Sequence, residues 1–236
     1  MKPAKSISSS PRDNVAHIKQ AVKRAFIDTQ SAIELEELLE TGANRTLERS
    51  RHAKINETFD GKLEVATINT INLLLVREIT MCLTRIYDKP GRDRASLGEI
   101  FFRMENENVR NLIFQERKGI IQFQFGEDVG QWLERIKARW VRFRTTNFAS
   151  DLKSLFDARD TYIAHSLLQE PELPNYGRLF SMVRETEEIV GELSALLGNT
   201  TIGFKSSRKI YRKRAAEFWD TLIAGGKQRA TKLVKK

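Results

Sequence analysis

Apolar residues recur every three or four positions along most of the chain, the spacing of amphipathic helices. Val15, Ile18, Val22 and Phe26 start such a stripe. It predicts a helix from an N-cap at Asp13 to about Glu40, closed by Thr41-Gly42. A shorter helix is expected over residues 44–58. Ile68, Ile71, Leu75, Ile79, Cys82 and Ile86 line the next helix, about 62–87, before the breaker Asp88-Lys89-Pro90-Gly91. Ser96 with Glu99 three residues on has the pattern of a capping box and predicts a helix to about Arg117. Ile121-Gln122-Phe123-Gln124-Phe125 alternates like a strand but is short and alone, so it reads as a loop or a helix extension. Residues 127–163 read as helix, interrupted near Thr145-Thr146-Asn147. Helices are also expected over 176–197, ended by Gly198, and over 206–224, ended by Gly225-Gly226. The last has Tyr211, Ala215, Phe218 and Leu222 as its seam, and the closing residues 227–236 read as frayed. Fold class follows: all-α, a helical bundle around one core.

Composition narrows this picture. Proline (5) and glycine (13) are scarce, which suits long helices over turn-rich β architecture. Cys82 is the single cysteine, so no disulfide scaffold exists and a cytoplasmic location is expected. Three histidines and one cysteine make a His/Cys metal site improbable, and no cofactor is expected. No signal peptide is read at the polar N-terminus, and no apolar run approaches the ~20 residues a membrane span needs. His17 and His52 have no partner at ligand spacing, and Trp132, Trp140 and Trp219 read as core or interface. No glycine-rich phosphate loop is present.

Charge is distributed unevenly. The net charge is +9, and residues 205–236 carry all of the excess, with eleven basic and two acidic side chains. This suggests a polyanion partner, with Arg208, Lys209, Arg212, Lys213 and Arg214 as the candidate nucleic-acid contacts, or else a solubilising tail. The expected organisation is a disordered segment over residues 1–12, a bundle over 13–204, and a basic amphipathic helix and tail over 205–236.

One segment carries chemistry. On a helical wheel at about 100° per residue, Arg159 falls amid Leu152, Leu155, Phe156, Tyr162 and Ile163. A guanidinium there needs a partner or a polar cleft, since an unpaired buried charge is costly. Two readings stay open: an internal ion pair with Glu78, or an anion site. His165 lies about 9 Å farther along an ideal helix and about 120° around it. One small group reaches both residues only if the helix is distorted or two chains contribute across a two-fold axis.

Arg159-Asp160-Thr161-Tyr162-Ile163-Ala164-His165 resembles the Arg-polar-x(3–5)-His signature of the HEPN superfamily. The wording RDTYIAHS, with LTRIYDKPGRDRASLGEIF at residues 83–101, is similar to the abortive-infection AbiU-type branch. The resemblance covers about residues 13–200. It implies a bundle that pairs as a homodimer, with the Arg–His motifs meeting in a cleft. It also implies either a metal-independent endoribonuclease of toxin–antitoxin or abortive-infection type, or an inactive module that binds RNA or a protein such as an antitoxin. Under the first, His165 exchanges protons, Arg159 holds phosphate oxygens, and Asp160 orients one of them or is simply solvated. Some HEPN toxins carry a tyrosine two residues after the histidine as a modification site; Leu167 stands there instead. No membrane partner is expected.

Overall fold

The computed structural model describes residues 10–52, 62–91, 95–125, 128–164, 172–198 and 203–233. Among these, every regular element is helical. α1 (Pro11–His52) is the axis of the bundle and packs against α2 (Lys62–Tyr87), α3 (Leu97–Met104), α4 (Glu107–Phe125), α7 (Tyr176–Leu197) and α8 (Phe204–Leu233). α5 (Val129–Arg142) lies on α4 and α7, and α6 (Ala149–Ala164) lies on α2. The core runs through α1, α2 and α7, with Ile18, Ile33, Leu39, Ile79, Leu83, Met182, Ile189 and Leu193 fully buried.

Local chemistry explains the boundaries. The N-cap of α1 is Ser10, not Asp13: Ser10 Oγ accepts from Asp13 N (3.2 Å), and Asp13 accepts from Ser10 N (3.1 Å). Pro11 then occupies the first helical position, where its missing N–H costs nothing. α1 also runs straight through Gly42. That glycine marks a close approach: a Cβ there would sit 2.4 Å from the Trp219 ring. The separate helix expected over residues 44–58 is the end of α1 as far as His52, and residues 53–61 lie outside the described residues.

Ser96 caps α3 as the sequence predicts, accepting from Glu99 N. Glu99 does not reach back; it accepts from Gly91 N (2.9 Å) and Arg103 Nε (2.6 Å), fastening the α2–α3 connection. The helix expected to reach Arg117 is two helices. Asn106 divides them, its carboxamide oxygen accepting from Asn108 N at 3.0 Å. Residues 121–125 are a helix extension.

Between α5 and α6 the predicted interruption is a π-helical turn, Phe143–Asn147, with Phe148 N donating to Phe143 O. The fully buried Phe143 stacks on Tyr87 at 4.3 Å between ring centroids, so the turn is anchored to the end of α2. Gly198 ends α7 in the left-handed region, φ 70°, as a glycine past the last turn does. α8 continues through Gly225-Gly226 to Leu233, so the chain over 227–233 is helical rather than frayed. Its inner seam is Phe204, Ser207, Ala215 and Trp219; Phe218 and Leu222 face outward. One stretch, Ala66–Tyr87, is long and apolar enough to cross a membrane by length and composition alone. Its C-terminal half is core, while Leu73 and Leu74 are exposed.

Candidate functional site

α6 brings its chemistry to the end of α2. Leu152, Leu155 and Ala158 are buried, and α6 packs on α2. Arg178, at the start of α7, holds the other end of α6: its guanidinium donates to the Asp151 carboxylate (3.1 Å from Nε) and the Asn147 carbonyl (2.6 Å), over the Phe148 ring.

Arg159 sits past the last turn of α2, at the margin of the buried face rather than its centre. Its side chain is 22% exposed. Nη1 is 3.5 Å from Asp88 Oδ2, in the loop that follows Tyr87. Nε donates to Asp160 Oδ1 at 2.9 Å, and the guanidinium carbon lies 5.0 Å from the Phe156 ring centroid. The ion pair with Glu78 is thus not formed; Asp88 and Asp160 take that place. Phe156 on one side and two carboxylates on the others fix the plane of the guanidinium. Asp160 is 67% exposed, so its pairing with Arg159 is weak and exchangeable. His165 and Leu167 lie outside the described residues, as do the side chains of Tyr162 and Ile163. Asp88 is the site neighbour that helical periodicity does not reveal. Phe156 was visible as an apolar position but not as a ring against the arginine. Asp88 was visible only as part of the breaker that ends α2.

The five basic candidates of α8 divide into two groups. Arg208 is interior. It donates to Glu36 (2.8 Å), Glu37 (2.8 Å) and Glu187 (2.8 Å), gathering carboxylates from α1 and α7. Arg212 forms a bidentate pair with Glu37, at 2.8 and 3.1 Å. Arg184 of α7 adds a bond to Glu36 at 3.1 Å. Burial pushes the Glu36 carboxyl up, against the pull of Arg208 and Arg184. Burial also acts on Glu37, but hydrogen bonds from Arg212 and Arg208 outweigh it and hold that carboxyl below its ordinary value. The Arg208 guanidinium is raised in turn: its three carboxylates more than offset burial. These arginines bolt α8 to the bundle. Lys209, Lys213 and Arg214 face outward.

A cleft of about 440 Å³ opens beside this cluster, lined by Glu40, Thr41, Asn44, Arg45 and Arg212. Its arginines are already engaged, Arg212 with Glu37 and Arg45 with Asp220 at 3.3 Å. Cys82 is buried, and that burial pushes its thiol up to about 11, away from the thiolate form. No cluster of metal-ligating side chains occurs among the described residues.

The model of the AbiU2 family of HEPN domains matches residues 30–218. This chain belongs to that family. The match spans most of the helical bundle, includes the Arg159 segment and Asp88, and extends into α8. No curated protein and no solved structure matches the chain. As a HEPN-type AbiU2 chain, it carries the Arg-polar-x-x-x-x-His motif on α6 and the residues that follow, and α6 is the helix that α2, α7 and the π-turn jointly fix.

Proposed function

We propose that this protein is a metal-independent endoribonuclease of abortive-infection or toxin type, acting in the cytoplasm as a homodimer with Arg159 and His165 at its catalytic cleft. The observation that carries the reading is the state of Arg159: a guanidinium 22% exposed against the Phe156 ring, whose carboxylate partners include one that is two-thirds exposed. Membership of the AbiU2 family supports it. The residue types suit cleavage of RNA by its own 2′-hydroxyl. The 2′-oxygen attacks phosphorus, the bond to the 5′-oxygen breaks, and the products end in a 2′,3′-cyclic phosphate and a 5′-hydroxyl. His165, with an ordinary imidazole value near ~6.5, takes the 2′-hydroxyl proton. A second histidine, supplied by the other copy across a two-fold axis, returns a proton to the departing 5′-oxygen. Arg159 holds the non-bridging oxygens and stabilises the charge that grows on them. Asp88 and Asp160 keep its fork aimed.

The direct test is incubation of mixed cellular RNA with the protein in EDTA, beside a His165→Ala variant of equal folded content. Cyclic-phosphate ends from the wild type alone support the reading. Inactivity of both proteins over many RNAs contradicts it and moves the function to an inactive HEPN module that binds RNA or a protein partner, such as an antitoxin. The occupation of Arg159 by two carboxylates is the observation that favours this second reading.

A further inference from the structure

The first half of α8, residues 204–216, contains six basic side chains and no acidic one. Two of the six, Arg208 and Arg212, are held by buried glutamates, as described above. The other four, Lys205, Lys209, Lys213 and Arg214, are exposed. Among the described residues, Lys205, Lys209 and Arg214 form no ion pair. Lys213 is 3.8 Å from Glu217, with both side chains well exposed (80% and 65%), a pairing easily exchanged.

The spacing of the lysines is regular. Lys205, Lys209 and Lys213 follow one another at four-residue intervals, so each stands about 6 Å beyond the last along the helix and about 40° around it. They form one shallow stripe on the side of α8 turned away from its buried seam. Their step is comparable to the separation of neighbouring phosphates in an extended strand. Arg214, about 100° around the helix from Lys213, and the exposed Phe218 lie on the other flank of α8 and take no part in the stripe. Arg208 and Arg212 give the stripe a rigid footing, because their buried glutamates bolt α8 to α1 and α7.

We infer that this outer face of α8 is a second nucleic-acid surface, a lysine track that carries the phosphate backbone of a single RNA strand. It goes beyond the cleavage reaction and assigns Lys205, Lys209 and Lys213 to strand binding, while Arg208 and Arg212 belong to the fold. The partner is committed by charge and period. A stripe of exposed lysines at about the spacing of successive phosphates suits the backbone of a flexible polyanion.

The test titrates the full-length chain into a fluorescent 2′-O-methyl RNA oligonucleotide at several salt concentrations. That RNA lacks the attacking hydroxyl, so binding is read whether or not the protein cleaves RNA. Failure of the ribonuclease reading and failure of the track are therefore separate results. The variant is Lys205→Gln/Lys209→Gln/Lys213→Gln, checked by its melting curve for an unchanged fold. Loss of three phosphate contacts lowers the slope of log affinity against log salt by about 2, and weakens binding on the order of tens-fold at physiological salt. Unchanged affinity and slope overturn the inference. So does a variant that keeps its RNA affinity but loses binding to phosphatidylserine vesicles, which assigns the stripe to a membrane surface.

Discussion

Arg208 and Lys209 are neighbours in sequence and opposites in role. Arg208 lies among Glu36, Glu37 and Glu187, of which Glu36 and Glu37 are almost wholly buried. Removing its charge leaves those carboxylates facing one another without compensation. Arg208→Ala is expected to cost about 3–5 kcal/mol in urea unfolding, and Lys209→Ala under about 0.5 kcal/mol. The adjacent glutamates differ as well. Glu37 is held below the ordinary carboxyl value of 4.5 by hydrogen bonds from Arg212 and Arg208 that outweigh its burial. Its contribution to stability is therefore complete above that value and is lost as pH falls through its lower folded value. Glu36 is raised by burial, so the folded chain takes up its proton before the unfolded chain does, and ionised Glu36 works against folding near neutrality. At pH 7, Glu37→Gln is expected to lose about 1–3 kcal/mol more than Glu36→Gln. The Glu37→Gln deficit should shrink as pH drops below 4.5, where urea melts from pH 3 to 7 will follow it. Composition placed these arginines in the basic helix. It could not separate them from the exposed lysines, because their partners lie some 20 to 170 residues away on α7 and α1.

At the scale of elements, glycines separate what local propensity reads from what packing decides. Gly198 is a helix terminator by its own backbone, and the sequence shows it. Gly42 looks the same in sequence but lies inside α1, because the Trp219 ring packs where a side chain would stand. Helix propensity alone predicts that Gly42→Ala stabilises α1 by about 1 kcal/mol. The contact with Trp219 predicts the reverse, a loss of about 1–3 kcal/mol from overpacking, read as a lower melting temperature. Trp219 is fixed from both sides, since its indole N–H donates to Leu38 O at 2.8 Å, and it has little room to yield. Ser96 and the break near 145–147 were legible because caps and interruptions are local chemistry. The length of α1 was not, since the Trp219 ring packed on Gly42 overrides a local stop signal; the break at Asn106, which its own side chain caps, and the continuation of α8 were not legible either. The loss of the Ser96 cap is expected to cost about 1 kcal/mol in Ser96→Ala, measured by the same melts.

At the scale of the molecule, one bundle serves two ends. α2, α7 and the π-turn hold α6 so that Arg159 meets Asp88 where α2 stops. α1 and α7 hold α8 so that its lysines face outward. The arginine of the site was readable as a charge on an apolar face. Its acidic neighbour was not, because Asp88 comes from a loop that no periodicity aligns with α6. The central claim is that Arg159 serves chemistry and is not an internal brace. The most direct measurement pairs urea unfolding with single-turnover RNA cleavage for Arg159→Ala. A guanidinium 22% exposed, paired to the half-buried Asp88 and to the solvent-facing Asp160, predicts a stability loss of about 1–2 kcal/mol. It predicts at the same time a cleavage rate lower by on the order of a hundredfold or more. A variant that unfolds several kcal/mol more easily, or that cleaves RNA as fast as the wild type, contradicts the account.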